Sequence, residues 1–182
     1  MPLKTVCTLS SFVLATPVGH VTVSGCPKGV HKICMAAPKA LPQLNAKKSC
    51  SVFEEPDDWS PALRECCDWL TDYFKDSNSV LDRPLPPLHV TEFKSDSFSS
   101  RVWEKMVMDI PVGQTMSYGQ LAAVMGKPRA ARAVGGAMRL NPTPLVVPCH
   151  RVLAADGKLG GFMSGRGLHV KEWLLKHEGV SF

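Results

Sequence analysis

The sequence predicts an α/β (α+β) protein in two domains, an antiparallel sheet with helices followed by a mainly helical half. Three observations carry this. Period-two alternation is confined to the N-terminal stretch, helical periodicity takes over after Ser60, and proline-rich breaks separate the periodic segments.

Phe12-Val13-Leu14-Ala15 is the first strand signal and runs into the turn Thr16-Pro17-Val18-Gly19. His20-Val21-Thr22-Val23-Ser24 alternates, and a second turn, Gly25-Cys26-Pro27-Lys28-Gly29, leads to Val30-His31-Lys32-Ile33-Cys34-Met35. Three strands joined by short turns make an antiparallel meander. Prolines, lysines and serines recur without period from Ala36 to Pro56, which reads as a long loop. Ser60-Pro61 opens a helix with proline at its first position, and Leu63, Cys66, Cys67, Leu70, Tyr73 and Phe74 form its apolar stripe. Cys66 and Cys67 are therefore read as core. Arg83-Pro84-Leu85-Pro86-Pro87-Leu88 is a semi-rigid connector, and the domain boundary is placed near Thr91, giving 1–91 and 92–182.

In the second half Phe98, Val102 and Met106 recur at i, i+4 and i+8. Ser117-Tyr118-Gly119-Gln120 has the S-x-x-Q form of a capping box and starts a short helix, Leu121 to Met125, which Gly126 ends. Pro128 then opens a helix reaching Arg139, and two helices joined so tightly resemble a helix-turn-helix. The final helix carries Val170, Trp173, Leu174 and His177 at i, i+3, i+4 and i+7, with Gly179 as its stop.

Composition narrows the function. The chain has 182 residues, enough for a core without disulfide staples, and 45% of them are hydrophobic. No apolar stretch approaches the roughly 20 residues that cross a bilayer, so no membrane role is expected. Seven cysteines at irregular spacing, with no signal-peptide pattern at Met1-Pro2-Leu3-Lys4, read as reduced intracellular thiols rather than a disulfide framework. Charge is uneven: 9 Lys/Arg stand against 10 Asp/Glu up to Glu92, and 12 against 6 from Phe93 onward. The positive excess in the second half points to a polyanion there.

The helix ending at Arg139 sharpens this. Ala130, Ala131, Val134, Ala137 and Met138 fall on one side, and Arg129, Arg132 and Arg139 on the other with Gly136 among them and Ala133 alongside. Glycine in mid-helix costs about 1 kcal/mol relative to alanine, so Gly135-Gly136 requires a reason. Close packing on a neighbour explains the glycines alone, whereas contact with DNA explains glycines and arginines together.

Pro148-Cys149-His150-Arg151-Val152 sits behind the apolar run Pro144-Leu145-Val146-Val147-Pro148, which places a thiol and an imidazole at the edge of a core. A free thiol has a pKa of about 8.5 and needs a base to act as a nucleophile at neutral pH. A structural cysteine beside an incidental histidine is the alternative. Glu172 and Glu178 are both placed to orient a histidine, and periodicity does not choose between them.

The run Ser117-Tyr118, Ala130-Ala131-Arg132-Ala133-Val134-Gly135-Gly136-Ala137-Met138, Asn141-Pro142 and Pro148-Cys149-His150-Arg151-Val152 resembles the methylated-DNA–protein-cysteine methyltransferases (O-6-alkylguanine-DNA alkyltransferases) of vertebrate type. Lys171-Glu172-Trp173-Leu174-Leu175 and His177-Glu178-Gly179 extend the resemblance, which covers nearly the whole chain. It implies a ribonuclease-H-like N-terminal sheet and a winged helix-turn-helix-like C-terminal domain. It also implies a suicide protein that flips O-6-alkylguanine out of duplex DNA and keeps the alkyl group on Cys149. A water would bridge Cys149 to His150, Glu178 would hold that histidine, Asn141 would fix the loop and Tyr118 would hydrogen-bond the guanine ring. Arg132 would fill the space the base leaves, and Ser99, Gly119, Lys127 and Ala155 would join Tyr118 in contacting DNA through the minor groove. Cys7, Cys26, His31 and His89 match the family's structural Zn²⁺ ligands. No organic cofactor is implied, and a monomer in the nucleus is expected.

The sequence departs from the vertebrate pattern in its lid, Gly160-Gly161-Phe162-Met163-Ser164-Gly165-Arg166-Gly167, which is longer and has Phe162 where tyrosine is usual. Ala155 replaces a polar residue and Leu140 a common glycine. Two rivals are a DNA-binding relative that recognises lesions without alkyl transfer and a cysteine hydrolase. Cys149 itself opposes the first. Adjacent Cys-His lacks the separated dyad of the second and leaves the arginine helix unexplained.

Overall fold

Alternating burial along the N-terminal strands builds the sheet. In the computed structural model, which describes residues 7–42, 50–90 and 96–181, β1 (Ser10–Thr16), β2 (Gly19–Cys26) and β3 (Gly29–Met35) form the expected antiparallel meander. Phe12 and Leu14 of β1 and Val21 and Val23 of β2 point to the same buried face. The loop expected from Ala36 to Pro56 contains a fourth strand, β4 (Ser51–Glu54), which pairs antiparallel with β1 and gives the order β3-β2-β1-β4. All four of its residues are exposed, so backbone pairing at the edge defines this strand and no alternation marks it.

The buried face of the sheet is covered by α1 (Pro61–Lys75), capped by Ser60 Oγ accepting from Leu63 N at 3.3 Å. Its stripe of Leu63, Cys66, Cys67, Leu70, Tyr73 and Phe74 is buried throughout. The Pro-rich connector runs beside β3: Val30 N donates to Pro87 O and His89 N to Val30 O, both at 2.8 Å. Thr91, the proposed boundary, lies outside the described residues.

The second half contains α2 (Phe98–Asp109), α3 (Tyr118–Val124), α4 (Ala131–Arg139) and α5 (Leu168–His177). The capping box at α3 is complete, with Ser117 Oγ accepting from Gln120 N and Gln120 Oε1 accepting from Ser117 N. Gly126, with φ 69°, then turns the chain. The following helix starts at Ala131 and not at Pro128. The fixed φ of proline suits a turn as well as a helix, and Ala130 N bonds Lys127 O at 2.8 Å within that turn. Two short strands, β5 (Met116–Ser117) and β6 (Val152–Leu153), pair in parallel rather than as a hairpin.

One apolar cluster runs through both halves, from Phe12 and Leu70 to Val102, Val134, Val147 and Leu174. Hydrogen bonds cross between them as well. Ile33 N on the edge strand β3 donates to Pro142 O at 2.8 Å, and His177 Nε2 donates to Tyr73 O at 2.6 Å. No helix among the described residues is long and apolar enough to cross a membrane.

Candidate active site

Residues 141–151 form a loop clamped by its own side chains. Asn141 Nδ2 donates to Val147 O at 2.9 Å, and Asn141 Oδ1 accepts from Thr143 N at 3.0 Å. Leu145, buried, is held at φ 76°, a conformation that ordinarily costs an L-residue of order 1 kcal/mol and persists because its surroundings enforce it. The loop ends in a 3-10 turn, Cys149–Arg151, that places all three side chains in the interior.

The three point to different partners. Cys149 lines a pocket of about 1060 Å³ together with Tyr118, Arg132, Gly135, Asn141 and Phe162. Met35 from β3 and Met138 from α4 also line it, as does Met163 of the lid, so both halves contribute walls. His150 turns inward, fully buried, and its Nε2 lies 2.8 Å from Glu178 Oε1. Arg151 lays its guanidinium along the same carboxylate, Nε to Oε2 at 2.8 Å and Nη2 to Oε1 at 3.0 Å, and its Nη1 donates to Ile110 O at 2.7 Å. Of the two glutamates, Glu178 meets the histidine, while Glu172 pairs with Lys176 at 2.6 Å.

Electrostatics follow from that packing. Burial alone would raise the Glu178 carboxyl, but His150 and Arg151 outweigh it and hold the group well below the usual carboxylate range. Burial lowers His150 from its ordinary 6.5 against the pull of Glu178, with Arg151 and Lys171 adding to the lowering. Burial also pushes the Cys149 thiol up, partly offset by Asn141 and Lys171. Because the carboxylate only accepts, Nε2 of His150 carries the proton and Nδ1 keeps its lone pair. That Nδ1 is buried with no hydrogen-bond partner among the described residues. The site thus holds a neutral thiol beside a neutral base whose tautomer is fixed.

Tyr118, the first residue of α3, extends over the pocket with its ring against two glycines. A Cβ at Gly160 would come within 3.2 Å of the ring, so this lid position admits little beyond glycine. Burial and then the nearby Cys149 raise the Tyr118 hydroxyl above its ordinary pKa. A Cβ at Gly136 would meet nothing within 4 Å and one at Gly135 only the Tyr118 ring at 3.9 Å. Packing therefore does not explain this glycine pair. Arg132 and Arg139 border the pocket from the same helix, while Arg129 lies in the preceding turn. Ser99, Gly119, Lys127 and Ala155 stand outside the pocket lining. Lys127 sits 5.4 Å from the centre of the Phe98 ring, next to Ser99, and Ala155 is exposed in the turn after β6.

Three contributors escaped sequence reasoning. Arg151 was visible only as part of a motif. Tyr73 OH donates to Glu178 Oε1 at 2.7 Å; a tyrosine in a buried stripe already implies a partner for its hydroxyl. Lys171 is fully buried, donating to Val152 O at 2.6 Å and to Leu159 O, and burial pushes its ammonium down to about 8 against the pull of Cys149. Lys171, Leu174, Leu175 and Glu178 follow the same i, i+3, i+4, i+7 spacing that marks the apolar stripe of α5, and that repeat was the available signal.

A second cluster lies in the N-terminal half. Donor atoms of Cys7, Cys26, His31 and His89 all fall within 4.8 Å of one another. Cys26 Sγ is 3.2 Å from His31 Nε2 and 3.3 Å from His89 Nδ1, the two imidazole nitrogens are 3.1 Å apart, and Cys7 Sγ is 3.7 Å from His89 Nδ1. Metal–ligand bonds of about 2.0–2.3 Å in a tetrahedron separate donors by about 3.3–3.8 Å, so the four residues suit a four-coordinate metal.

The family model of the 6-O-methylguanine DNA methyltransferase DNA-binding domain matches residues 97–180. The mouse methylated-DNA–protein-cysteine methyltransferase is 43% identical over 176 residues, 96% of this chain and 83% of its own length. Among solved structures, the O6-methylguanine methyltransferase of Mycobacterium tuberculosis aligns with a TM-score of 0.70 and 30% identity, over 94% of this chain and 93% of that one. The Mycobacterium tuberculosis OGT solved in complex with DNA aligns with a TM-score of 0.66 and 32% identity, over 91% of each chain. A thiol in an open pocket, a buried His–Glu pair and this similarity along nearly the whole length place the chain in the methylated-DNA–protein-cysteine methyltransferase family.

Proposed function

We propose that this protein repairs DNA by moving an alkyl group from O-6 of guanine to Cys149, once per molecule. The observation that carries the reading is the Cys149 thiol facing an open pocket, walled by Tyr118, Asn141 and Arg132, beside the His150–Glu178 pair. Because burial keeps Cys149 protonated, the proton has to leave as attack begins. It passes through one water to Nδ1 of His150, whose Nε2–H is held by Glu178, and the charge that forms on the imidazole is met by that carboxylate. A sulfur lone pair forms the S–C bond while the C–O bond breaks, and its electrons go to guanine O-6. Tyr118 hydrogen-bonds the departing base, which ends with the proton the thiol lost. The product thioether has no good leaving group, so the sulfur is not regenerated.

An O-6 atom inside a duplex is out of reach, so the nucleotide turns out of the stack at a cost of a few kcal/mol. In this reading residues 92–182 form a helix-turn-helix unit that lays α4 in the minor groove. Arg132 fills the vacated stack, and Ser99, Gly119, Lys127 and Ala155 hold phosphates without reading sequence. The small residues of α4 allow the close approach. Residues 1–91 form a ribonuclease-H-like structural domain in which Cys7, Cys26, His31 and His89 hold Zn²⁺. When bound, that ion ties the N-terminal segment and the connector to the sheet and takes no part in transfer. The site requires no organic cofactor, and the protein acts as a monomer on nuclear DNA.

Incubation with duplex DNA carrying methyl on guanine O-6, followed by intact mass measurement, tests the proposal. One methyl group gained per chain, located on Cys149, is the expected result. An unchanged mass with DNA bound favours lesion recognition alone, and multiple turnover overturns the suicide mechanism.

A further inference from the structure

Glu178 is more crowded than an orienting carboxylate needs to be. His150 Nε2, Arg151 Nη2 and Tyr73 OH all converge on Oε1, at 2.8, 3.0 and 2.7 Å, and Arg151 Nε takes Oε2 at 2.8 Å. The first two donors belong to the Cys149 turn. Tyr73 comes from α1, 105 residues away in sequence, in the half of the molecule that holds the sheet. Its ring is fixed by a stack with Trp69 at 5.6 Å and edge contacts with Phe74 at 5.3 Å and His177 at 5.4 Å. His177 Nε2 in turn donates to the Tyr73 carbonyl, so the hydroxyl has little freedom to move off the carboxylate.

We infer that Tyr73 is a positioning residue for alkyl transfer: its hydroxyl competes with His150 for Glu178 Oε1 and sets how basic the His150 imidazole is. Rotation about the Glu178 side chain would break four hydrogen bonds at once, so the carboxylate is locked. A carboxylate oxygen that already accepts from a phenol and a guanidinium is a weaker partner for an imidazolium than a free one. The titratable groups facing His150 are Glu178, Arg151 and Lys171, and those facing Glu178 are His150, Arg151 and Tyr73. Among them Tyr73 is the neutral donor, and removing its hydroxyl changes no net charge. This places a tuning element for the acceptor site in the N-terminal half, which makes no other hydrogen bond to this carboxylate among the described residues.

The inference rests on the transfer reading above, but its test separates the two. Tyr73→Phe keeps the ring packing and deletes the hydroxyl. With Oε1 relieved of one donor, the His150 ring should titrate about half a pH unit higher by ¹⁵N NMR. The acid limb of single-turnover methyl transfer should move up equally, because a protonated imidazole cannot take the thiol proton. A purely structural role would lower thermal stability and leave both pH midpoints in place. The chain has two tyrosines, so 3-fluorotyrosine in a Tyr118→Phe background labels Tyr73 alone. Fluorine makes the hydroxyl a stronger donor, and the His150 midpoint should then move down. This second arm decides the matter even where Tyr73→Phe does not fold. Unchanged His150 midpoints overturn the role of Tyr73, whether or not methyl is transferred. A wild-type protein that takes up no methyl overturns the transfer reading, and the ring titration still judges Tyr73.

Discussion

The two clusters of cysteine and histidine in this chain are made of the same residue types and arranged for opposite ends. At Cys7, Cys26, His31 and His89 the donor atoms converge on one another, all within 4.8 Å. At Cys149 and His150 the two side chains part: the thiol lines a pocket, and the imidazole turns to a carboxylate fixed by Arg151 and Tyr73. Convergent donors make a site that can only hold something. A thiol facing space beside a base with a fixed tautomer makes a site that can react. Residue identity does not separate the two clusters; the direction of each side chain and its third partner do.

The hardest test of this contrast exchanges sulfur for oxygen in each cluster. Cys149→Ser should abolish methyl uptake measured by mass while leaving duplex binding nearly unchanged. Cys26→Ser should leave one methyl per chain and instead lower the melting temperature. Loss of transfer in both would erase the distinction.

Next in size is the carboxylate. Glu178→Gln leaves Arg151 buried without its counter-charge, and breaking a buried pair in this way costs about 3–5 kcal/mol, readable by denaturant unfolding. Transfer should slow as well, since the amide neither stabilises an imidazolium nor enforces the tautomer. The acid side follows the same groups. The lowered pKa of Glu178 gives stability that is complete above its ordinary 4.5 and is lost as pH falls below that. His150, lowered from 6.5, is protonated first in the unfolded chain, so stability begins to fall as pH drops through 6.5. A urea series from pH 7 to 3 should show the His150 phase and the onset of the Glu178 phase, and the His150 phase should vanish in His150→Phe.

Metal removal addresses the other cluster. A ligand present at 100 times its Kd stabilises by about 2.7 kcal/mol, equivalent to about 5–10 °C for a chain of this size. Chelation should lower the melting temperature by that order in the wild type and leave His89→Ala unmoved. The smallest effect is at Gly136, where a methyl group meets open space. Gly136→Ala should raise stability by about 1 kcal/mol through helix propensity and weaken DNA binding, seen by melting and by titration with duplex. A loss of stability would mean that the face is packed and not kept low for a partner.

Much of the fold could be read locally. The Ser60 and Ser117 caps and the stripe on α1 depend on neighbours within four residues, and the meander on short turns between alternating strands, which the sequence records directly. The sequence also marked Cys149, His150 and the arginine-bearing helix. It missed β4, whose pairing with β1 is a backbone matter, and it placed the start of α4 three residues early, because proline fits a turn as well as a helix. Periodicity did not choose Glu178 over Glu172; only the family resemblance pointed to Glu178. Both lie on the C-terminal stretch at plausible spacing, and the decision rests on which one packs against a turn 28 residues away.

The sequence by itself determined which chemical groups are present, their local elements and the family they resemble. Tertiary structure alone decided that Tyr73 and Lys171 pack around the Cys149 turn and that Met35 reaches its pocket. Helices and turns arise from contacts between near neighbours. A charge, a proton or a metal is held by groups brought together across the chain, and only the folded packing fixes which groups those are.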